Sequence, residues 1–137
     1  MAADVVVVAV TGPDDIVAAR QAGRELAVKL GFSLTDVTTI ATAISEVARN
    51  ITTYAGHGEI RLAVEERRGR RGVVVIASDE GPGIADVERA LQDGYSTGRG
   101  LGLGLPGARR LMDELEVRSE LGSGTTVVMW KQVPPHV

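Results

Sequence analysis

Cysteine is absent from this 137-residue chain, so disulfide frameworks, thiol catalysis and zinc ribbons are excluded at once. Aromatic residues make up only 3%, which leaves Val, Leu, Ile and Ala to build the core. Histidine occurs twice, as His57 and His136, too few and too far apart for a metal cluster. Long basic runs are missing too, and a net charge of -3 argues against a protein whose main partner is a nucleic-acid backbone. No apolar run approaches membrane-spanning length. The opening Val5-Val6-Val7-Val8-Ala9-Val10 is short, has no basic lead and meets Pro13-Asp14-Asp15 almost at once, which marks a strand and not a signal peptide. The expectation is one α/β domain over residues 1–137, cytoplasmic, with no nucleic-acid and no membrane partner.

What the chain does have is clear hydrophobic periodicity. Asp4 to Val10 is β-branched almost throughout, as suits a strand covered on both faces. A helix follows from Pro13, with Asp14 and Asp15 at its positive end, and Gly31 stops it. Gly23 inside that helix costs about 1 kcal/mol relative to alanine and implies a close neighbour. Ser33 with Asp36 resembles a capping box and opens a second helix, which runs to Ala55 and is ended by Gly56 and Gly58. Its apolar stripe is Val37, Ile40, Ala41, Ile44, Val47, Ala48, Ile51 and Tyr54.

Glu59–Glu66 and Val73–Asp79 read as two strands joined by an arginine-rich tip, Arg67 to Gly72. Four arginines suit an anion site or, more simply, a solvated hairpin end. A short helix is expected over Ala85–Gln92, then a glycine-rich segment from Asp93 to Gly104, a helix over Leu105–Met112, a strand over Leu115–Ser119 and a last strand over Thr125–Val133. This order predicts an α/β sandwich: a mixed, mostly antiparallel sheet with helices on one face. The chain has no strand followed by a lysine-bearing phosphate loop, so a Walker-type fold is excluded.

Chemistry concentrates in four places. Glu46 and Asn50 stand one helical turn apart, off the apolar stripe, where a carboxylate and an amide can reach one ligand together. The amide oxygen suits Mg²⁺, and the carboxylate can orient or deprotonate a hydroxyl. The plainer reading is the polar side of an amphipathic helix. Asp79-Glu80-Gly81-Pro82-Gly83 closes a strand; its aspartate either shapes the turn or accepts a hydrogen bond from an adenine amine, with Gly81 and Gly83 letting backbone approach the base. Gly98-Arg99-Gly100-Leu101-Gly102-Leu103-Gly104-Leu105 sets exposed amides before a helix and reads as a nucleotide lid, with Ser96, Thr97 and Arg99 as phosphate contacts. Gly122-Ser123-Gly124-Thr125 alone looks like any hairpin turn.

Taken in order, Glu46 with Asn50, Asp79-x-Gly81-x-Gly83, Gly100-x-Gly102-Leu103-Gly104-Leu105 and Gly122-x-Gly124-Thr125 resemble the four boxes of the GHKL (Bergerat-fold) ATPases. The short length resembles their stand-alone serine kinases, without a transducer or phosphorylated-histidine domain. Asp15 to Arg24, Leu30-Gly31-Phe32, Ala43 to Glu46, Ala48 to Ile51, and Gly104 to Glu114 are similar to the RsbT-type switch kinases, from which Gly98-Arg99 departs.

The resemblance implies ATP and Mg²⁺ as cofactors. Asn50 would hold the metal, Glu46 would act on a substrate serine, and Asp79 with Gly81 and Gly83 would select adenine. Ser96 through Leu105 and Thr125 would line the rest of the nucleotide site. It implies as partners an RsbS-like STAS-domain protein with an RsbR-like scaffold in a stressosome, and an RsbU-like PP2C phosphatase. An RsbW- or SpoIIAB-like anti-sigma factor kinase, or a nucleotide-binding adaptor with little catalysis, are the alternatives.

Overall fold

The computed structural model describes residues 5–84, 87–91 and 104–134. The elements are β1 (Val6–Val10), α1 (Pro13–Leu30), α2 (Leu34–Asn50), a single π-turn (Ile51–Ala55), β2 (Gly58–Arg67), β3 (Arg70–Asp79), α3 (Val87–Ala90), α4 (Gly104–Leu111), β4 (Glu114–Ser119) and β5 (Thr125–Gln132).

Local chemistry accounts for the helix ends. Asp15 Oδ2 accepts from both the N–H and the hydroxyl of Thr11, at 2.8 and 2.9 Å, and ties the entry of α1. Gly31, at φ 90°, closes α1 in the left-handed conformation that glycine adopts without strain. Ser33 caps α2 by accepting from the Asp36 N–H at 3.1 Å. The second helix reaches Ala55 as expected, but its last five residues change to π geometry, closed by Gly56 N–H to Ile51 O at 2.8 Å.

The five strands form one sheet in the order β1-β2-β3-β5-β4, and every neighbouring pair is antiparallel. The sandwich is as expected, but the sheet is antiparallel throughout and not mixed. β3 and β4 each run antiparallel to β5 and so parallel to one another, but β5 lies between them. Two helices in series between β1 and β2 likewise bring the chain back antiparallel. The β2–β3 hairpin is tighter than the expected tip: the strands extend to Arg67 and Arg70, and Arg68 and Gly69 turn with positive φ of 52° and 77°.

One face of the sheet carries the core. Ile60 and Leu62 of β2, Val73 and Val75 of β3, and Met129 of β5 alternate inward and are fully buried against Val37, Ile40, Ile44 and Val47 of α2. Burying each of the larger aliphatic side chains stabilises the fold by about 1.5–3 kcal/mol. Gly23 is where α1 meets α2: a Cβ there would stand 2.2 Å from Ile44 Cδ1, the close neighbour its sequence position implied. Ala90 and Leu105 bring α3 and α4 to the same core. Among the described residues no helix is long and apolar enough to cross a membrane.

The other face is open, which corrects the expectation that β1 is covered on both sides. β1 is an edge strand, and Val5 and Val7 are half exposed on the open face. Trp130 is nevertheless buried there, lying over Gly72, donating Nε1–H to Glu65 O at 3.3 Å and roofed by the Arg67 guanidinium 5.5 Å from its ring. Arg67 is thus not a solvated tip residue; it also pairs with Glu65 and Glu114, at 2.6 Å each.

Candidate functional site

The candidate site is built at the end of the sheet where β3 finishes and β5 begins. Strand register sets Gly58, Asp79, Thr125 and Ser119 side by side as one row across β2, β3, β5 and β4. Alternation points that row toward the helix-bearing face, in line with the buried Ile60, Ala77 and Val127 one step inward. Residues 46 apart in the chain, Asp79 and Thr125, therefore stand as direct cross-strand neighbours.

Glycines make this end possible. At Gly58 a Cβ would lie 2.4 Å from Ser78 O, and 3.0 Å from the Ile51 side chain of the π-turn, so its absence lets that turn close on the sheet. At Gly124, with φ +86°, a Cβ would stand 2.1 Å from Asp79 O. Gly81 packs against Ala55, the last residue of the π-turn, and Gly83 at φ +79° against Glu120 O. Close backbone approach is thus required at Gly81 and Gly83, and what approaches in the structure is the protein's own chain. Asp79 Oδ1 accepts from the Gly81 N–H at 2.9 Å, shaping the loop.

Ser119 was not singled out in the sequence, yet it joins three segments. Its Oγ accepts from the Ile84 N–H at 2.7 Å, lies 2.9 Å from Gly124 O and lies 2.8 Å from Thr125 Oγ1. The signal was available: β4 alternates inward at Leu115 and Val117, so the next inward place is a serine, a polar group aimed at the interior side. Gly122 N–H to Pro82 O at 2.8 Å fastens the same two loops a second time.

Glu46 and Asn50 come from α2, which the Ile40, Ile44 and Val47 stripe seats on the sheet. Glu46 is buried, with only 7% of its surface exposed, and both carboxylate oxygens are engaged. Oε1 accepts from the Gly104 N–H at the start of α4, at 2.9 Å, and Oε2 accepts from Arg49 Nη1, also at 2.9 Å. Asn50, the last residue of α2, is half-buried. The π-turn it leads into connects it to the Asp79 loop through Ile51 against Gly58 and Ala55 against Gly81.

Glu46, Asn50, Asp79, Gly81, Gly83, Gly104, Leu105 and Thr125 are thus all placed. Leu105 is buried in the core and contributes packing. Ser96, Thr97, Gly98, Arg99, Gly100, Leu101, Gly102 and Leu103 lie outside the described residues. Among the described residues no group of three or more His, Asp or Glu side chains could hold a metal ion.

Comparison with known proteins agrees with this architecture. Residues 10–131 match the histidine kinase-like ATPase domain. The serine/threonine-protein kinase RsbT of Bacillus subtilis (strain 168) is 53% identical over 113 residues, 82% of this chain and 85% of that protein. An anti-sigma F factor of Pasteuria penetrans is 33% identical over 124 residues, 84% of this chain and 81% of its own. Among solved structures, the RsbU and RsbW domains of a Mycobacterium tuberculosis protein superpose with a TM-score of 0.63 at 21% identity, over 96% of this chain and 33% of that one. The chain therefore spans about a third of that larger protein, and the likeness is one of fold. With the sheet order, the glycine-built end of β3 and the Glu46–Asn50 pair in view, the chain belongs to the histidine kinase-like (GHKL) ATPase family and is an ATP-dependent serine/threonine-protein kinase of the RsbT type.

Proposed function

We propose that this kinase transfers the γ-phosphoryl group of Mg-ATP to a serine of an RsbS-like STAS-domain antagonist, held with an RsbR-like scaffold in a stressosome. Once released, it binds and activates an RsbU-like PP2C phosphatase, in the cytoplasm. The observation that carries this reading is the 53% identity to RsbT along more than four-fifths of both chains.

In this reading Asp79 accepts a hydrogen bond from the adenine amine, with Thr125 beside it in the row. Asn50 would hold Mg²⁺ together with phosphate oxygens, and the ion would supply charge neutralisation on the triphosphate. The fit rests on the donor set: one neutral amide oxygen at a helix end, a small share of a coordination shell that phosphates complete. The lid segment from Ser96 to Gly104 would enclose the phosphates, and Gly104 reaches Glu46 through its N–H.

Glu46 would take the proton of the substrate serine as its oxygen attacks the γ-phosphorus and the bond to the β-phosphate oxygen breaks, releasing ADP. The buried carboxylate has one oxygen on a backbone N–H and the other on the half-exposed Arg49. The Arg49 side is the one a serine hydroxyl can enter, because an exposed guanidinium can turn to solvent and a backbone amide cannot.

The test is incubation with Mg-ATP and purified STAS-domain proteins, with phosphate read by mass. Transfer to a STAS serine is expected, and its absence from every such partner overturns the substrate assignment. The identity to anti-sigma F factors favours a second reading, a kinase that sequesters a sigma factor. Co-purification with a sigma factor in place of STAS proteins selects it.

A further inference from the structure

We infer that Ser119 is a positioning residue that sets the direction of the Thr125 hydroxyl proton and thereby the preference for an aminopurine over an oxopurine nucleotide; this rests on Asp79 and Thr125 receiving the base.

A serine hydroxyl has one proton to give and two lone pairs to receive. Three groups lie within hydrogen-bond distance of Ser119 Oγ. The Ile84 N–H at 2.7 Å can only donate, and so uses one lone pair. The Gly124 carbonyl at 2.9 Å can only accept, and so takes the proton; Gly124 is buried, where an unmet carbonyl is costly. One lone pair is left for Thr125 Oγ1, 2.8 Å away, which must therefore be the donor.

Thr125 then has no proton left to offer. Toward its other neighbours it presents lone pairs alone, and so does the adjacent Asp79 carboxylate, whose Oδ1 already accepts from Gly81 N–H. The row consequently offers acceptors along its accessible edge. An exocyclic amine, with two N–H donors, matches that edge, while the carbonyl of an oxopurine brings lone pair against lone pair. Removing the Ser119 hydroxyl frees Thr125 to turn its proton outward and donate to such a carbonyl.

The experiment is competition of Mg-ATP and Mg-GTP against a fluorescent ATP analogue on the full chain, read as the ratio of the two dissociation constants. Because both nucleotides are measured on the same sample, the ratio does not depend on the folded fraction. Ser119→Ala is expected to lower the preference for ATP by about three- to tenfold, the worth of one hydrogen bond. Ser119→Thr, which keeps a hydroxyl, retains it. In a Thr125→Val background Ser119→Ala has no further effect on the ratio. If Ser119→Ala does not fold, Ser119→Cys, a poor donor, replaces it with the same expectation.

An unchanged ratio in Ser119→Ala or its substitute, or a loss that persists without the Thr125 hydroxyl, overturns the inference. Asp79→Asn tests the parent reading separately: if it leaves the ATP preference untouched the adenine site is wrong, and if it moves the ratio while the Ser119 change does not, only the role of Ser119 falls.

Discussion

Gly104 gives its backbone N–H to Glu46 Oε1 at 2.9 Å, joining the first residue of α4 to the C-terminal half of α2 across 58 residues of sequence. One carboxylate oxygen is thereby fixed by main chain, and the other is shared with Arg49. Glu46→Gln keeps an oxygen for the Gly104 N–H but has no carboxylate to accept a proton. Phosphoryl transfer is expected to fall on the order of 10²-fold or more while the thermal midpoint stays close to wild type. Full activity in this variant would remove Glu46 from the chemistry.

Asp79→Asn and Asn50→Ala should each keep the fold and abolish phosphorylation. The asparagine can still accept from Gly81 N–H, as Asp79 Oδ1 does, so the loop retains its bond while the carboxylate's pairing with an amine is lost. Circular dichroism checks the fold, and transfer of labelled phosphate checks the activity; undiminished transfer by either variant contradicts the assignment.

Gly23 and Ile44 should show coupled stability. Gly23→Ala gains about 1 kcal/mol of helix propensity, against an overpacking cost of about 1–3 kcal/mol, because its Cβ meets Ile44 Cδ1 at 2.2 Å in the core. The net change is a loss of up to about 2 kcal/mol. Ile44→Val removes that Cδ1, and in its background Gly23→Ala is expected to stabilise by about 1 kcal/mol. Denaturant unfolding of the four proteins in the cycle measures the reversal of sign.

Two glycines in the β4–β5 turn should differ sharply although both have positive φ. Gly122, at +83°, has open space where a Cβ would go, so Gly122→Ala costs about 1–2 kcal/mol of left-handed strain alone. Gly124, at +86°, would put its Cβ 2.1 Å from Asp79 O, so Gly124→Ala should cost about 3 kcal/mol or more and weaken nucleotide binding with it. Equal thermal midpoints for the two variants would count against the packing described at this end of the sheet.

Acid should loosen the open face. Hydrogen bonds from Arg67 and then Arg68 hold the Glu114 carboxyl below the ordinary carboxylate range. Between its folded value and the ordinary one, the unfolded chain binds the extra proton, so the contribution is complete above that range and is lost as pH falls through the folded value. Glu114→Gln is expected to flatten part of the fall in thermal midpoint on acidification. An identical acid profile would show that this pair contributes nothing.

Much of the fold could be read in advance because its signals are local. The stripe from Val37 to Ile51, the Ser33 cap and the Gly31 stop each depend on residues within a turn or two. Gly23 announced a contact, though only packing named Ile44 as the neighbour. Arg67 reads as solvated in the sequence because its partners, Glu114 and Trp130, lie 47 and 63 residues further along. Ser119 carries no local signal of its partners for the same reason: Ile84, Gly124 and Thr125 meet only when β4 pairs with β5 and the Pro82 loop folds over them.

Residue order alone settled the kinds of element, the helix-bearing sandwich and the spacing of Glu46 and Asn50, since periodicity, capping and glycine placement act over a few residues. Strand register decided the rest. It brought Gly58, Asp79, Thr125 and Ser119 into one row and made the touching strands all antiparallel, because cross-strand partners are fixed only once segments distant in sequence are paired.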